Sequence, residues 1–491
     1  MGKPQIMGGE MKKSVVLEVL HNGVTSISIG PFSERLQPLI NETLVEAKKD
    51  KYRKGTILTP ILVVWVVLSI AIRRELEYGK VLNWLVSGVR WMGTELPAKL
   101  VACGTISHAR VKLGFEVFRS LFSKSVASLG PHKPDFHGFV SVVFDGTCLT
   151  MPDTEDNQAE FSKPKTGRGK AGFPQTRVMA LMVRAARYII DIAYASYQGK
   201  GTGERALMMQ ILQRTKDLNF LYMFDAGFYS FALVFALQQQ GQNFLMKISS
   251  SIRLLPVKGG ILGDGSYLAL VKGKIEDLQS SRSKRRRFKE LQILVRVIQF
   301  QIPGFRPVRL ITSILDINIT AKELACHYHK RWDIEIGYDE IKIHQCSTLR
   351  GQSPTHLRSK RADLVKQEIY AIMIVYNHIR LIMSQAAEMH GEIPLEISFV
   401  DSYQLVLEAI PEMNRISEDM KKQTHSYLLR LISESTIDRP RRPRINPRVI
   451  KIKMSKFSLK RPKHKSQERH LEKDIMIIPL PNQQAEMKEA A

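Results

Sequence analysis

Apolar residues dominate the first quarter of the chain and recur there at helical spacing. Residues 57–72 (ILTPILVVWVVLSIAI) are almost wholly apolar, and the charged stretch that follows still carries apolar residues at helical intervals. This periodicity predicts helices over residues 30–125. A membrane-spanning helix needs about 20 apolar residues. The run is shorter than that and contains Pro60, so we expect a buried helix and no membrane association.

A different pattern begins at residue 139, where short apolar runs alternate with amphipathic stretches. The strand-like runs are FVSVVFDG, RVMALMV, YIIDIAYAS, NFLYMFDAG and NFLMKI, and one predicted helix precedes each of the last two. The predicted order is three strands, a helix, a strand, a helix and a strand. Three consecutive strands favour an antiparallel meander, and the later alternation favours parallel strands covered by helices. The predicted fold class is therefore α/β.

The rest of the chain divides into segments of distinct composition. Glycines separate short strand-like runs over residues 251–315, which predicts a β-rich insertion, and helical periodicity returns at about residue 320. We therefore predict six regions: a helical N-terminal domain (1–130), the first part of an α/β core (135–250), the insertion (251–315), the second part of the core (316–390), a helical region (391–438) and a basic tail (439–491).

Charge narrows the possible partners. The 491 residues include 73 Lys and Arg against 47 Asp and Glu, a formal net charge of +26. Such an excess indicates a polyanionic partner, either nucleic acid or an anionic membrane surface. Residues 439–469 hold 13 Lys and Arg and a single acid, which predicts a mobile phosphate-binding arm or, alternatively, a solvated tail. A hydrophobic content of 44% excludes a wholly disordered chain.

The cysteines indicate the compartment. The chain has four of them, without CxxC spacing and without a recognisable zinc pattern among its 13 His. Four cysteines in a chain of this length do not form a disulfide framework, so we expect a reducing, cytoplasmic location.

Residues 320–345 (TAKELACHYHKRWDIEIGYDEIKIHQ) form a predicted helix with one narrow polar stripe. At 100° per residue, four side chains fall within an arc of about 60° that runs about 21 Å along the helix: Tyr328, Arg331, Glu335 and Lys342. A solvated face with pairing between neighbouring turns is an equally good interpretation of the spacing alone. Asp339 lies near the same stripe and is a rival to Glu335.

Two aspartates follow apolar runs of the predicted sheet. Asp145 closes the first strand (VVFDG) and Asp225 closes the fourth (YMFDAG). Taken singly, each is more often a turn residue before glycine. Ligands of open α/β sheets bind outside the carboxyl ends of the strands, where Glu335 of the helix could join both aspartates. Three carboxylates so close together repel one another and need cations, for which hard, oxygen-binding Mg²⁺ is suited.

These motifs, in this order, resemble those of a known family. Tyr328-x2-Arg331-x3-Glu335-x6-Lys342 is similar to the Y-R-E-K signature of the DDE transposases of bacterial insertion sequences, in particular the insertion-sequence-four type. FDGT at Asp145 and FDAGFYS at Asp225 resemble the two aspartate motifs of that family. Residues 172–183 and 53–85 resemble its second strand and its N-terminal domain. The resemblance covers roughly residues 30–410.

The resemblance implies a fold and a reaction. The expected fold is a ribonuclease-H-like catalytic core with a β-rich insertion, together with helical N-terminal and C-terminal regions. Asp145, Asp225 and Glu335 would be the catalytic residues and would bind two Mg²⁺ ions, for which Mn²⁺ could substitute. The enzyme would nick the ends of the insertion sequence, form a hairpin through the released 3′-hydroxyl, reopen it and join the ends to target DNA.

The family's partners also carry over as expectations. Tyr328, Arg331 and Lys342 would contact the phosphates of the terminal nucleotides, and Lys247 matches a position where the family often has Arg. The partner would be double-stranded DNA, both terminal inverted repeats and target, bound by a homodimer in a synaptic complex. Some relatives stack a flipped base on a Trp of the insertion. Residues 251–315 contain none, which leaves Phe288, Phe300, Phe305 and Tyr267 as substitutes.

Three other functions remain open at this point. The chain could be a catalytically inactive, transposase-derived DNA-binding protein, although all three acids are present. It could be a basic protein that associates with membranes through residues 57–72. It could also be another ribonuclease-H-like nuclease, such as a junction resolvase, but the Y-R-E-K spacing favours the transposase.

Overall fold

The fold was analysed in a computed structural model. The structure describes residues 30–87, 100–166, 169–170, 172–276, 288–303, 305–346, 355–437, 444–445, 467–468 and 471–480. Most of the basic tail predicted at 439–491, and the basic run 283–287 of the insertion, lie outside the described residues.

Five α-helices of the N-terminal region lie within the described residues. They are α1 (Ser33–Glu46), α2 (Pro60–Ile72), α3 (Tyr78–Leu85), α4 (Cys103–Leu113) and α5 (Glu116–Ala127). Helix α2 begins where the Thr59 hydroxyl accepts a hydrogen bond from the N–H of Leu62, with Pro60 in the first turn. Every α2 residue from Leu62 to Ile72 is buried, which confirms the predicted buried helix. Within the described residues, no helix is long and apolar enough to cross a membrane.

The central sheet begins with the five strands that the sequence predicts. These are β1 (Val140–Thr150), β4 (Gln175–Val183), β5 (Tyr188–Ser196), β6 (Phe220–Phe224) and β7 (Asn243–Ile248). The pairs β1–β4 and β4–β5 are antiparallel, whereas β1–β6 and β6–β7 are parallel. Between β1 and β4 lie helix α6 (Glu155–Glu160) and a short hairpin of β2 (Lys165–Thr166) and β3 (Gly169–Lys170).

Four further strands extend the same sheet. They are β8 (Pro256–Ile261), β9 (Tyr267–Glu276), β10 (Phe288–Gln301) and β11 (Val308–Thr312). Strand β11 pairs with β7, so the sheet runs β5-β4-β1-β6-β7-β11-β10-β9-β8, and β14 (Met476–Ile477) adds to β10. The strand content predicted for 251–315 is therefore present and is continuous with the central sheet. The short strands β12 (Arg444–Ile445) and β13 (Gln467–Glu468) pair with each other.

Helices cover both faces of the sheet and enclose two apolar cores. Helices α7 (Glu204–Arg214) and α8 (Phe231–Gln239) belong to one face. On the other, α11 (Ala362–His390) packs against α2, α5 and the pair α12 (Phe399–Met413) and α13 (Glu418–Glu434). A short helix α14 (Leu471–Asp474) precedes β14. The mixed α/β class is confirmed, and the division into six regions stays a prediction.

Two local predictions were wrong. Strand β1 does not end at Asp145 but continues to Thr150, because β4 supplies hydrogen-bonding partners along that whole length. The helical stretch that starts at α9 (Ala321–His329) is not uniform: a 3₁₀ turn follows at Lys330–Trp332, then α10 (Asp333–Asp339) and a π-helical segment at Glu340–Gln345. The 100° step of an ideal α-helix therefore does not hold along the predicted stripe.

Candidate active site

Three of the predicted site residues lie within two residues of the last backbone pairs between the parallel strands. The pairing of β1 with β6 ends at Val143 and Met223; Asp145 lies two residues beyond Val143, and Asp225 is the first residue after β6. Phe224, the residue before Asp225, pairs with Met246 of β7, the residue before Lys247. Neighbouring strands are about 4.8 Å apart. The sheet therefore brings the two aspartates and Lys247 close together, and the Asp225 charge acts on Asp145.

Asp145 lies in an environment that disfavours its charge. Burial raises the pKa of Asp145, while the N–H of Gly146, which donates to its Oδ1 at 2.8 Å, and the Arg331 guanidinium act in the opposite direction. The charges of Glu204 and Asp225 raise the pKa of Asp145 further. The Asp145 carboxylate is therefore repelled by Asp225 and also by Glu204, an acid that the sequence did not predict.

Two tyrosine hydroxyls attach the α9–α10 stretch to the strands that carry the aspartates. The hydroxyl of Tyr328 donates to the carbonyl oxygen of Phe224, the residue before Asp225, at 3.0 Å. The hydroxyl of Tyr338 donates to the carbonyl oxygen of Asp145 at 2.6 Å. Both side chains are buried, and burial raises both tyrosine pKa values, so the hydroxyls remain protonated donors. Glu335 lies on the helical segment between these two attachments.

Arg331 and Glu335 face each other on consecutive turns. The Arg331 guanidinium is 3.7 Å from the Glu335 carboxylate, and the two side chains are 7% and 44% exposed. Arg331 also lies over the Trp332 ring, 5.6 Å from its centroid. Arg331 is therefore a buried cation that acts electrostatically on Asp145. Its partner Glu335 is a solvent-accessible acid.

Buried ion pairs hold α10 against the rest of the protein. Asp333 lies 3.0 Å from Arg184 and 3.3 Å from Arg187. Glu340 lies 2.7 Å from Arg187 and also pairs with Arg380 of α11. Because unpaired charges at such positions are strongly unfavourable, these contacts fix the ends of the segment that carries Glu335.

Lys342 and Asp339 lie beyond the attached segment. Lys342 is half-buried in the π-helical turns, where its charge lowers the pKa of His356 after the larger effect of burial. Asp339, the rival to Glu335, is exposed. The structure thus brings together Asp145, Asp225, Lys247, Tyr328 and Arg331. Glu335 adjoins this set through Arg331.

The donor chemistry fits a hard divalent cation. Asp145 and Asp225 offer carboxylate oxygens from adjacent strands, which is the ligand type that such ions prefer. Within the described ranges, however, no three or more His, Cys, Asp or Glu side chains form a ready group that could hold a metal ion. The two aspartates therefore lie close together, and the Glu335 carboxylate is 3.7 Å from the Arg331 guanidinium.

Comparison with known proteins decides the family. The family model described as "Transposase DDE domain" matches residues 138–378, which include every predicted site residue, and the model "Insertion element 4 transposase N-terminal" matches residues 26–123. The chain belongs to the DDE transposases of the insertion-sequence-four type. Membership means that this transposase acts on DNA, cleaves and joins it, and depends on a divalent metal ion.

One relative with a similar sequence agrees with this family. The transposase is 27% identical over 455 residues to transposase InsG of insertion sequence element IS4 from Escherichia coli strain K12, covering 89% of this chain and 94% of that protein. Among solved structures it is similar to the piggyBac transposase in a synaptic complex with hairpin DNA. That match has a TM-score of 0.42 and 9% identity and covers 89% of this chain and 90% of the other.

Several residues of this transposase site were missed from the sequence. Tyr338 follows the Y-R-E-K glutamate by three residues, and Gly337 allows close packing, since a Cβ there would lie 2.3 Å from Met182. The Gly337-Tyr338 pair within an otherwise polar predicted helix was the sequence signal that could have indicated this contact. Glu204 gave no signal, because its proximity to Asp145 depends on how α7 meets the sheet. Of the substitutes named for the missing Trp, Phe300 and Tyr267 are buried.

Proposed function

We propose that this transposase nicks the ends of its insertion sequence and joins them to target DNA with Asp145, Asp225 and Glu335 as catalytic, metal-binding residues. The observation that carries the proposal is that Asp145 and Asp225 lie just beyond the last backbone pair of the parallel strands β1 and β6, close enough for the Asp225 charge to raise the pKa of Asp145. The helix bearing Glu335 is attached to both strands beside those residues by Tyr328 and Tyr338.

A ribonuclease-H-like core is part of the proposal. Its support is the order of the first five long strands, third-second-first-fourth-fifth, with the first three antiparallel and the last two parallel to the first. In this arrangement the second aspartate follows the fourth long strand, β6, and the glutamate comes from a later helix. Two Mg²⁺ ions are proposed as the cofactor, with Mn²⁺ as a substitute.

Several residues of the chain are proposed to act at the scissile phosphate, in different roles. Bound Mg²⁺ would supply Lewis-acid activation of water and of the phosphodiester. Arg331 and Lys247 are proposed to contact DNA phosphates, as charge-assisted donors. Arg331 also lowers the pKa of Asp145, the opposite direction to burial, and so favours the carboxylate form that a cation needs. Tyr328 and Lys342 are proposed as further DNA contacts.

The assembly and the later steps rest on family membership. We propose that residues 26–123, which match the N-terminal family model, recognise the terminal inverted repeats. We also propose a homodimer that holds both ends in a synaptic complex, a hairpin intermediate, and a cytoplasmic location.

The test is a cleavage assay on linear DNA that carries the element's terminal repeat. With Mg²⁺ we expect a nick that leaves a 3′-hydroxyl, and with EDTA we expect binding without a nick. Binding without cleavage in both conditions, and in Mn²⁺, would support the alternative of an inactive DNA-binding protein. Cleavage of branched junctions in preference to terminal repeats would support a resolvase.

A further inference from the structure

A further acid, Glu204, lies beside Asp145. Glu204 is the first residue of α7, after the N-cap Gly203, and its side chain is 49% exposed. It packs on Gly146, the neighbour of Asp145, so closely that a Cβ at Gly146 would lie 2.9 Å from Glu204 Oε1. Since side chains cannot approach to that distance without shifting, glycine at position 146 is what admits this carboxylate.

The charge of Glu204 is only weakly balanced by its neighbours. The nearest cation in the described part of the chain, Arg177, has its Nε 4.0 Å from Glu204 Oε1. Arg177 donates a hydrogen bond from its Nη1 to the carbonyl oxygen of Thr202 at 2.9 Å and stacks over Tyr197. The charges of Glu204 and Asp225 thus both act on Asp145 and, together with burial, raise its pKa.

A purely structural role explains these contacts incompletely. An acid in the first turn of a helix is favoured by the helix dipole, and an exposed ion pair with Arg177 would add little. Neither effect requires the acid to lie beside Asp145 or requires a glycine opposite it. Repulsion among carboxylates at a site with cation-binding chemistry is relieved by a shared divalent ion.

We propose that Glu204 is a fourth acidic residue of the transposase site and helps to hold the divalent cation beside Asp145 and Asp225. The inference rests on the proposed function of those two aspartates. Gly146 is then a positioning residue, since it gives the Glu204 carboxylate room to reach the site.

The test measures Mn²⁺ binding to the full-length protein without DNA, by titration calorimetry or by electron paramagnetic resonance. We expect Glu204→Gln to weaken Mn²⁺ binding roughly tenfold or more, while the thermal midpoint of the metal-free protein stays unchanged or rises because a repulsion is removed. The matched control is Glu155→Gln, which removes an exposed carboxylate from the first turn of α6 and should leave binding unchanged.

A second variant fills the room that the Glu204 side chain needs and leaves the Glu204 charge in place. Gly146→Ala should also weaken Mn²⁺ binding, and it should have no further effect in a Glu204→Ala background, because the methyl group then has nothing to displace. This pair keeps the proposal testable if Glu204→Gln does not fold.

The outcomes separate this inference from the proposed function. Parental Mn²⁺ affinity in Glu204→Gln, with binding abolished in Asp145→Asn, would overturn the role of Glu204 alone. Parental affinity in Asp145→Asn and Asp225→Asn would overturn the whole site, and the role of Glu204 with it.

Discussion

Two hydrogen bonds at Asp145 act on different groups, one on its carboxylate and one on its carbonyl oxygen. The N–H of Gly146 donates to the Asp145 carboxylate, whereas the Tyr338 hydroxyl donates to the Asp145 carbonyl oxygen. The first contact favours the charged carboxylate. The second fixes the distance between β1 and the helix that carries Glu335.

The Tyr338 hydrogen bond gives a prediction at this scale. Tyr338→Phe removes the donor but keeps the ring, so we expect a loss of about 1–2 kcal/mol in the free energy of unfolding, because a buried carbonyl loses its partner. The nicking rate should fall as well. Tyr427→Phe, an exposed control, should change neither the stability nor the nicking rate. Urea unfolding and single-turnover nicking measure the two effects. Equal nicking rates in Tyr338→Phe and the parent would contradict this role.

Contacts between elements join the N-terminal helices to the catalytic region. Arg74, which follows α2, donates to Glu368 of α11 at 2.8 Å, and both side chains are buried. Arg110 of α4 donates to Gln367, the neighbour of Glu368, at 3.2 Å. The regions matched by the two family models therefore meet through a buried set of charges on α11.

This junction predicts a pH dependence. Burial raises the pKa of Glu368, but Arg74, Arg358 and Arg110 lower it more, to about 2 from an ordinary 4.5. A lowered pKa in the folded state stabilises the protein above about pH 4.5, and that stabilisation is lost as pH falls toward 2. Glu368→Gln should therefore cost about 3–5 kcal/mol at pH 7, because it leaves buried arginines unpaired, and clearly less at pH 3.

Urea unfolding of the parent and the variant from pH 7 to pH 3 measures this difference. The control is Glu412→Gln, which removes an exposed ion pair with Arg415 and should cost no more than about 1 kcal/mol at any pH. A cost for Glu368→Gln that is the same at pH 7 and pH 3 would contradict the assignment.

The whole molecule carries its positive charge unevenly. Of the formal +26, residues 439–469 contribute 13 Lys and Arg against one acid, whereas the proposed catalytic residues are three acids that would act on a polyanionic substrate. Asp145 and Asp225 lie near the last backbone pair of the parallel strands β1 and β6, while β14, from the C-terminal part of the chain, pairs with β10.

The tail gives a prediction for DNA affinity. Changing Lys451, Lys453, Lys456 and Lys460 to Gln should weaken DNA binding. The slope of log affinity against log salt should become shallower by up to about 0.9 for each phosphate that the tail no longer neutralises. The same four changes to Arg keep the charge and should keep the slope. Identical salt slopes for the Gln and Arg variants would indicate that the tail does not bind DNA.

Much of this architecture could be predicted from the sequence because its signals are local. Apolar runs gave the order and direction of β1 and β4–β7, and the buried α2 followed from its composition. What could not be predicted depends on tertiary contacts. Glu340 interrupts the α-helical pitch while it is paired with Arg187 and Arg380, which are distant in sequence. Glu204 approaches Asp145 only because α7 meets β1 at Gly146.

The most direct measurement of the central claim is single-turnover nicking of end DNA in Mg²⁺ by Asp145→Asn, Asp225→Asn and Glu335→Gln. Each should lose at least about a hundredfold in rate, because each loses several kcal/mol of charge stabilisation, and each should still bind DNA. Asp339→Asn, which removes an exposed acid one turn after Glu335, should nick at the parental rate. A parental rate in any of the three variants, or a loss in Asp339→Asn equal to that in Glu335→Gln, would contradict the assignment.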